Sequence, residues 1–156
     1  MALIVQKFGG TSVADISRIQ KVAQIILKEY EADNKLVVVV SAMAGVTNSL
    51  ISRCNEVSKL NAYDHMQEYD AIVASGEILT SGLLALELQR LGLKARSIQA
   101  WQIPILTDDV FANAKVESIN SSFIHELLEN NVIPVITGFQ GVTINKQITT
   151  IGKGGS

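Results

Sequence analysis

Four consecutive valines, Val37–Val40 in "NKLVVVVS", constrain the fold of this chain more than any other feature. A strand with β-branched residues at every position has no polar side, so both of its faces must be covered. Central strands of parallel sheets meet that condition, with helices on either side. The surrounding pattern agrees. Residues 3–8 (LIVQKF) read as a first strand. Residues 15–30 place Ile16, Ile19, Ala23, Ile26 and Tyr30 at helical spacing. After the valine strand (34–41), "GVTNSLISRCNEV" returns to a helical period, and 65–91 forms a long helical stretch closed by Gly92 as a left-handed cap. Gly76 and Gly82 interrupt that stretch. They point either to close packing against it or to two helices.

"KARSIQA" (94–100) reads as a short strand, "VESINSSFIHELLENN" (116–131) as one helix, and "VIPVITGF" as another buried strand. "VTINKQITT" alternates around Asn145-Lys146 as a hairpin. Strands alternating with helices define the α/β class with a mainly parallel sheet. No repeat, low-complexity tract or linker divides the chain.

The 156 residues support one domain with a hydrophobic core. A net charge of −2 gives no nucleic-acid footprint, and no uninterrupted apolar run approaches a membrane span. The N-terminus lacks the basic region of a signal peptide. A single cysteine, Cys54, excludes a disulfide framework, and the expected compartment is the cytoplasm. Cys54 itself reads as a small core residue.

Four segments follow strands and are rich in glycine or polar residues: "KFGGTS", "SAMAGVTN", "GFQG" and "GKGGS". In an open α/β sheet ligands sit at the carboxyl ends of the strands, so all four are expected on one edge. Exposed backbone N–H groups, a helix N-terminus and Lys7 together suit an anion such as a phosphate. Each turn taken singly is weak support, and the standard nucleotide motifs are missing. "GKGGS" lacks Walker A spacing, and no G-x-G-x-x-G follows the first strand. Other polar residues read as structural. Asp108-Asp109 reads as a solvated turn ahead of a metal pair, His65 and His125 are isolated with no ligand spacing, and Trp101 reads as core packing ahead of a role at the edge of a site.

"KFGGTSV" (7–13), "SAMAGVTN" (41–48), "SGE" (75–77), "GFQG" (138–141) and "TTIGKGGS" (149–156) together resemble the aspartate kinases of the amino-acid kinase family. The likeness runs along essentially the whole chain, and the opening "ALIVQKFGGTSV" is closest to the monofunctional type. The resemblance implies a three-layer αβα sandwich around a mainly parallel sheet, incomplete at the C-terminus. Residues 1–156 would be the amino-acid-binding part, with the nucleotide half and the regulatory ACT domains absent. It implies ATP-dependent phosphorylation of the L-aspartate β-carboxylate, which opens lysine, diaminopimelate, threonine and methionine synthesis. The alternatives are another small-molecule kinase of the same fold, or a non-catalytic aspartate-binding or oligomerisation fragment.

By position, Lys7 would contact the transferring phosphoryl group, and Gly9, Gly10, Thr11 and Ser12 would hold phosphate oxygens. Ser41, Thr47, Glu77 and Phe139 would line the aspartate pocket, with Glu77 taking the α-ammonium. Lys153 stands where the family has an arginine on an aspartate carboxylate, and Gly155 and Ser156 would close the site. ATP would be the co-substrate with Mg2+ carried on it and no protein-held metal. The expected partners are L-aspartate, ATP and other subunits of an oligomer, with neither nucleic acid nor membrane.

Overall fold

The computed structural model describes residues 2–59 and 63–152, apart from the side chains of 63–65. Its centre is a parallel sheet of four strands in the order β1-β2-β6-β3, formed by β1 (Leu3–Phe8), β2 (Lys35–Val40), β6 (Ile133–Thr137) and β3 (Ala95–Ile98). The valine strand is interior, as its composition requires. Leu36, Val38 and Val40 face one cluster, which they share with Ile19, Ala23 and Ile26 of α1 (Ile16–Glu31) and Leu84 and Leu88 of α3 (Tyr63–Arg90). Val37 faces a second cluster, with Ile136 and with Ile124, Leu127 and Leu128 of α4 (Ser122–Glu129). Helices on both faces of the sheet make the three-layer α/β architecture.

The long stretch 65–91 belongs to one helix, and its two glycines have different reasons. A Cβ on Gly76 would come within 2.9 Å of Ala42 Cβ and 3.2 Å of Val46 Cγ1, so the glycine lets the start of α2 (Val46–Val57) pack onto α3. At Gly82 a Cβ would meet nothing within 4 Å. Two opposite outcomes are therefore expected from chemical denaturation. Gly76→Ala should destabilise by about 1–3 kcal/mol through overpacking. Gly82→Ala should stabilise by up to about 1 kcal/mol through helix propensity. A loss of stability with Gly82→Ala, or none with Gly76→Ala, would contradict this assignment.

Three features of the sequence reading need correction. Residues 116–131 are not one helix. Val116–Ile119 is strand β5, paired antiparallel with β4 (Ile105–Thr107), and α4 begins only at Ser122. The switch is local chemistry: the Asn120 side chain accepts from Ser122 N at 3.0 Å and Ser122 Oγ at 2.6 Å, forming a turn between strand and helix. Strand β4 itself falls after "KARSIQA", where the sequence reading assigns no element. Trp101 is 44% exposed rather than core, because it sits on the short 3₁₀ turn Ala100–Gln102, in which Ala100 is the buried member.

The corrected elements make a second small sheet, ordered β5-β4-β7-β8, with β7 (Gln140–Val142) and β8 (Ile148–Thr150) as the expected hairpin. Lys146 takes φ 65° in its turn. Asp108 accepts from Val110 N and Lys115 N within its own loop, consistent with a turn. Cys54 is buried, His125 is exposed, and His65 lies among the side chains outside the described set.

Candidate active site

The parallel register brings three of the glycine-rich turns side by side. Phe8 pairs with Val40, and Val40 with Thr137, so β1, β2 and β6 end at one level. Backbone bonds then tie the turns together: Ser41 N donates to Phe8 O at 3.1 Å, and Gly138 N to Val40 O at 2.8 Å. Ile151, just before the fourth segment, is tied to the same edge, because its N–H donates to Phe139 O at 3.0 Å. Lys153, Gly155 and Ser156 lie outside the described residues.

Between these turns and α3 is an open cleft of about 320 Å³. Gly10, Ser41, Thr47, Glu77 and Phe139, all expected at the site, line it together with Ala42, Met43, Ala44, Gly45 and Asn48. Gly10 is required for the close fit, since a Cβ there would stand 2.8 Å from Ala42 O. Phe139 holds a left-handed backbone at φ 62°, uncommon for a bulky side chain and of the kind that collects at functional sites.

The other phosphate-loop positions fall elsewhere. Lys7 is exposed, on the β1 face shared with Leu3 and Val5, and is not part of the cleft wall. Thr11 and Ser12 are exposed beyond Gly10. The N-terminus of α1 is already capped, because Asp15 Oδ1 accepts from Arg18 N at 2.8 Å. The N-terminus of α2 is different. It starts after Gly45 at φ 80° with no side-chain cap, and its first-turn residues Thr47 and Asn48 line the cleft. First-turn N–H groups and the helix dipole favour an anion there.

Glu77 supplies the opposite charge. It is only 2% exposed. Its Oε1 accepts from Ala42 N at 3.0 Å, whereas Oε2 is buried without a hydrogen-bond partner. Burial pushes its pKa up to about 7, against the pull of the Ala42 N–H. A buried carboxylate with one unsatisfied oxygen beside a cleft is suited to a cationic ligand group.

Two supporting residues were not legible as such in the sequence. Asp70, one heptad before Glu77 on α3, is fully buried. It accepts from Ala112 N at 3.0 and 2.9 Å, from Thr150 N at 2.8 Å and from Thr150 Oγ1 at 2.7 Å. Burial pushes the Asp70 carboxyl up, opposed by those same bonds. Gln140 donates from Nε2 to Ala74 O at 3.1 Å and accepts at Oε1 from Ala100 N at 3.4 Å. Together they fix the hairpin against the helix that carries Glu77. The only available sequence signal was polar residues at helix or strand positions where the neighbours are apolar. Among the described residues, no three His, Cys, Asp or Glu side chains form a group that could hold a metal.

The fold and cleft define an α/β protein in which a cleft at the carboxyl edge of a parallel sheet sets the buried Glu77 carboxyl near the uncapped start of α2. Residues 2–156 match the amino acid kinase family, and the chain belongs to that family. It is 53% identical over 156 residues to the aspartokinase of Rickettsia bellii, covering all of this chain and 38% of that protein. A solved structure of aspartate kinase from Synechocystis matches with a TM-score of 0.80 at 36% identity, over 99% of this chain and 24% of that one. The E. coli aspartokinase III structure in complex with aspartate and ADP shares the fold, with a TM-score of 0.80 at 22% identity over 99% of this chain and 44% of that one. The chain therefore spans well under half the length of the curated relative it matches.

Proposed function

We propose that this chain is the amino-acid-binding part of an aspartate kinase, acting in the cytoplasm on L-aspartate with ATP at the head of lysine, diaminopimelate, threonine and methionine synthesis. The observation that carries the reading is Glu77, a buried carboxylate with one oxygen held by Ala42 and the other unpartnered, in a cleft beside the uncapped start of α2. L-Aspartate has one ammonium and two carboxylates. Glu77 takes the ammonium. The donors at the start of α2, with Ser41 and Thr47, and the cation of Lys153 meet the carboxylates. Phe139 forms the apolar wall, and Gly155 and Ser156 close the pocket.

In the reaction a β-carboxylate oxygen attacks the γ-phosphorus of ATP. The bond to the β–γ bridging oxygen breaks, and aspartyl phosphate and ADP result. Lys7, at the end of β1, and the backbone of Gly9, Gly10, Thr11 and Ser12 neutralise the charge that develops on the transferred group. Mg2+ accompanies ATP on its phosphates. The relatives' longer chains fit a division in which a further segment supplies the nucleotide half and regulation.

Calorimetry with the 156-residue chain tests the pocket. L-Aspartate should bind, while N-acetyl-L-aspartate, which keeps both carboxylates but lacks the ammonium, should bind at least tenfold more weakly. Equal binding of the two would remove Glu77 from its role. Lys7 is tested in a longer, active polypeptide. Lys7→Ala should lower kcat by the equivalent of about 3–4 kcal/mol with the KM for aspartate little changed, since its contact forms with the transition state. A raised KM at unchanged kcat would make Lys7 a ground-state binder.

A further inference from the structure

A row of hydrogen bonds ties the β7–β8 hairpin to α3, and its spacing leads to the cleft. Gln147 Nε2 donates to Gln67 Oε1 at 2.7 Å, Thr150 N and Oγ1 donate to Asp70 at 2.8 and 2.7 Å, and Gln140 Nε2 donates to Ala74 O at 3.1 Å. Residues 67, 70 and 74 follow one face of the helix, and the next position on that face is Glu77. The row therefore stops at the residue that meets the ligand, whose Oε1 is held by Ala42 N and whose Oε2 is unpartnered. Gln140 makes the tie nearest to it. This side chain is 1% exposed, directly follows Phe139, and is not part of the cleft wall. Its Oε1 accepts from Ala100 N at 3.4 Å, so one amide joins β7, α3 and the turn after β3. Phe139, at φ 62°, keeps its left-handed backbone only while its surroundings hold it there.

We propose that Gln140 is a positioning residue that determines specificity: by fixing the Phe139 segment against α3, it holds the cleft to the length of L-aspartate and excludes L-glutamate, which is one methylene longer. The inference rests on the aspartate reading given above. A single methylene is discriminated by about 10–200-fold, and only by a site whose walls do not yield. The two charged ends of this cleft lie on α3, with Glu77, and on α2, with its uncapped first turn. Gly76 already packs those two helices together. Phe139 supplies a wall from the connection between β6 and β7, which has no helix of its own to stiffen it. A buried amide suits that task, because it grips two backbone groups of neighbouring elements at once. Ala74 O can take the Gln140 bond on its second lone pair without giving up its place in the helix. The ties at Gln67 and Asp70 stand ten and seven residues from Glu77, about 15 and 10 Å along the helix. They hold the hairpin down, whereas Gln140 sets the gap at the cleft itself.

Calorimetry with the 156-residue chain at pH 8 tests the assignment, using L-aspartate and L-glutamate as paired probes. The native chain should bind L-glutamate at least tenfold more weakly than L-aspartate. Gln140→Met keeps the buried volume and removes both bonds. It should weaken L-aspartate about tenfold and leave L-glutamate within about twofold, so the ratio of affinities falls close to one. Gln140→Asn keeps an amide one methylene too short to reach both partners, and should lower the ratio in the same way. Gln147→Ala, at the far end of the row, should leave the ratio at its native value. Parallel weakening of both amino acids in the Gln140 variants would make the side chain a general prop and overturn the proposal. So would an unchanged ratio, a ratio lowered equally by Gln147→Ala, or the failure of both Gln140 variants to give the native far-ultraviolet circular dichroism spectrum. A native chain that binds the two amino acids equally would overturn this inference alone. One that binds no L-aspartate would remove the aspartate reading and this inference with it.

Discussion

Glu77→Gln is expected to eliminate detectable L-aspartate binding while making the fold more stable at pH 8. The two effects share one cause. In the folded chain Glu77 is buried with an unpartnered oxygen, and its pKa is raised from 4.5 to about 7. The folded state therefore holds the proton more tightly than the unfolded state. Glu77's favourable contribution is complete below pH 4.5, declines as pH rises through the interval to about 7, and is absent above it. The difference corresponds to about 3 kcal/mol at pH 8. Glutamine keeps an oxygen for the Ala42 N–H and carries no charge, so it escapes that loss. Denaturant titrations at pH 4.5 and pH 8 should give a gap of about 2–3 kcal/mol in favour of Gln at the higher pH and almost none at the lower. An ammonium ligand needs the ionised carboxylate, so aspartate affinity for the native chain should rise with pH through about 7. A stability gap independent of pH, or a Gln variant that binds aspartate normally, would show that Glu77 is not a strained binding group.

Asp70→Ala is expected to be among the most damaging single changes in the chain, at about 3–5 kcal/mol. Asp70 is 0% exposed, and three donors, a part-buried one from Ala112 and two buried ones from Thr150, converge on it. Removing the carboxylate leaves all three unmatched. Asparagine is no rescue, because its NH2 would face N–H and O–H donors. Thr150→Val removes one donor and leaves the others paired, so its cost should be about 1 kcal/mol. Urea denaturation of the three variants checks the ranking. Aspartate affinity should fall with Asp70→Asn as well, since β8 leads into the segment beside Phe139. A loss under 1 kcal/mol for Asp70→Ala would mean that water replaces the carboxylate and that the clamp is not what holds the hairpin.

The chain's own pattern determined the parallel sheet, because an all-valine strand has one stable environment and β1, α1 and β6 are patterned to supply it. The same holds for the edge where the site lies, since parallel strands send every following turn to one end of the sheet. The family resemblance carried by the motifs implied Gly10, Ser41, Thr47, Glu77 and Phe139, and the fold assembles those five around one cleft. What the sequence could not display was partnership across long separations. The unpartnered state of Glu77 Oε2 depends on Ala42, 35 residues away, taking Oε1 and nothing taking the other. The role of Asp70 depends on Thr150, 80 residues away. Residues 116–131 have apolar spacing that both periods accommodate over a short span. Only pairing with β4, and the Asn120 turn, divided them into strand and helix. Local pattern fixes which face an element buries, because that needs only the period of the element. Which donor meets which acceptor is a property of the packed chain, because a buried polar group is satisfied or left wanting by whatever the tertiary fold brings against it.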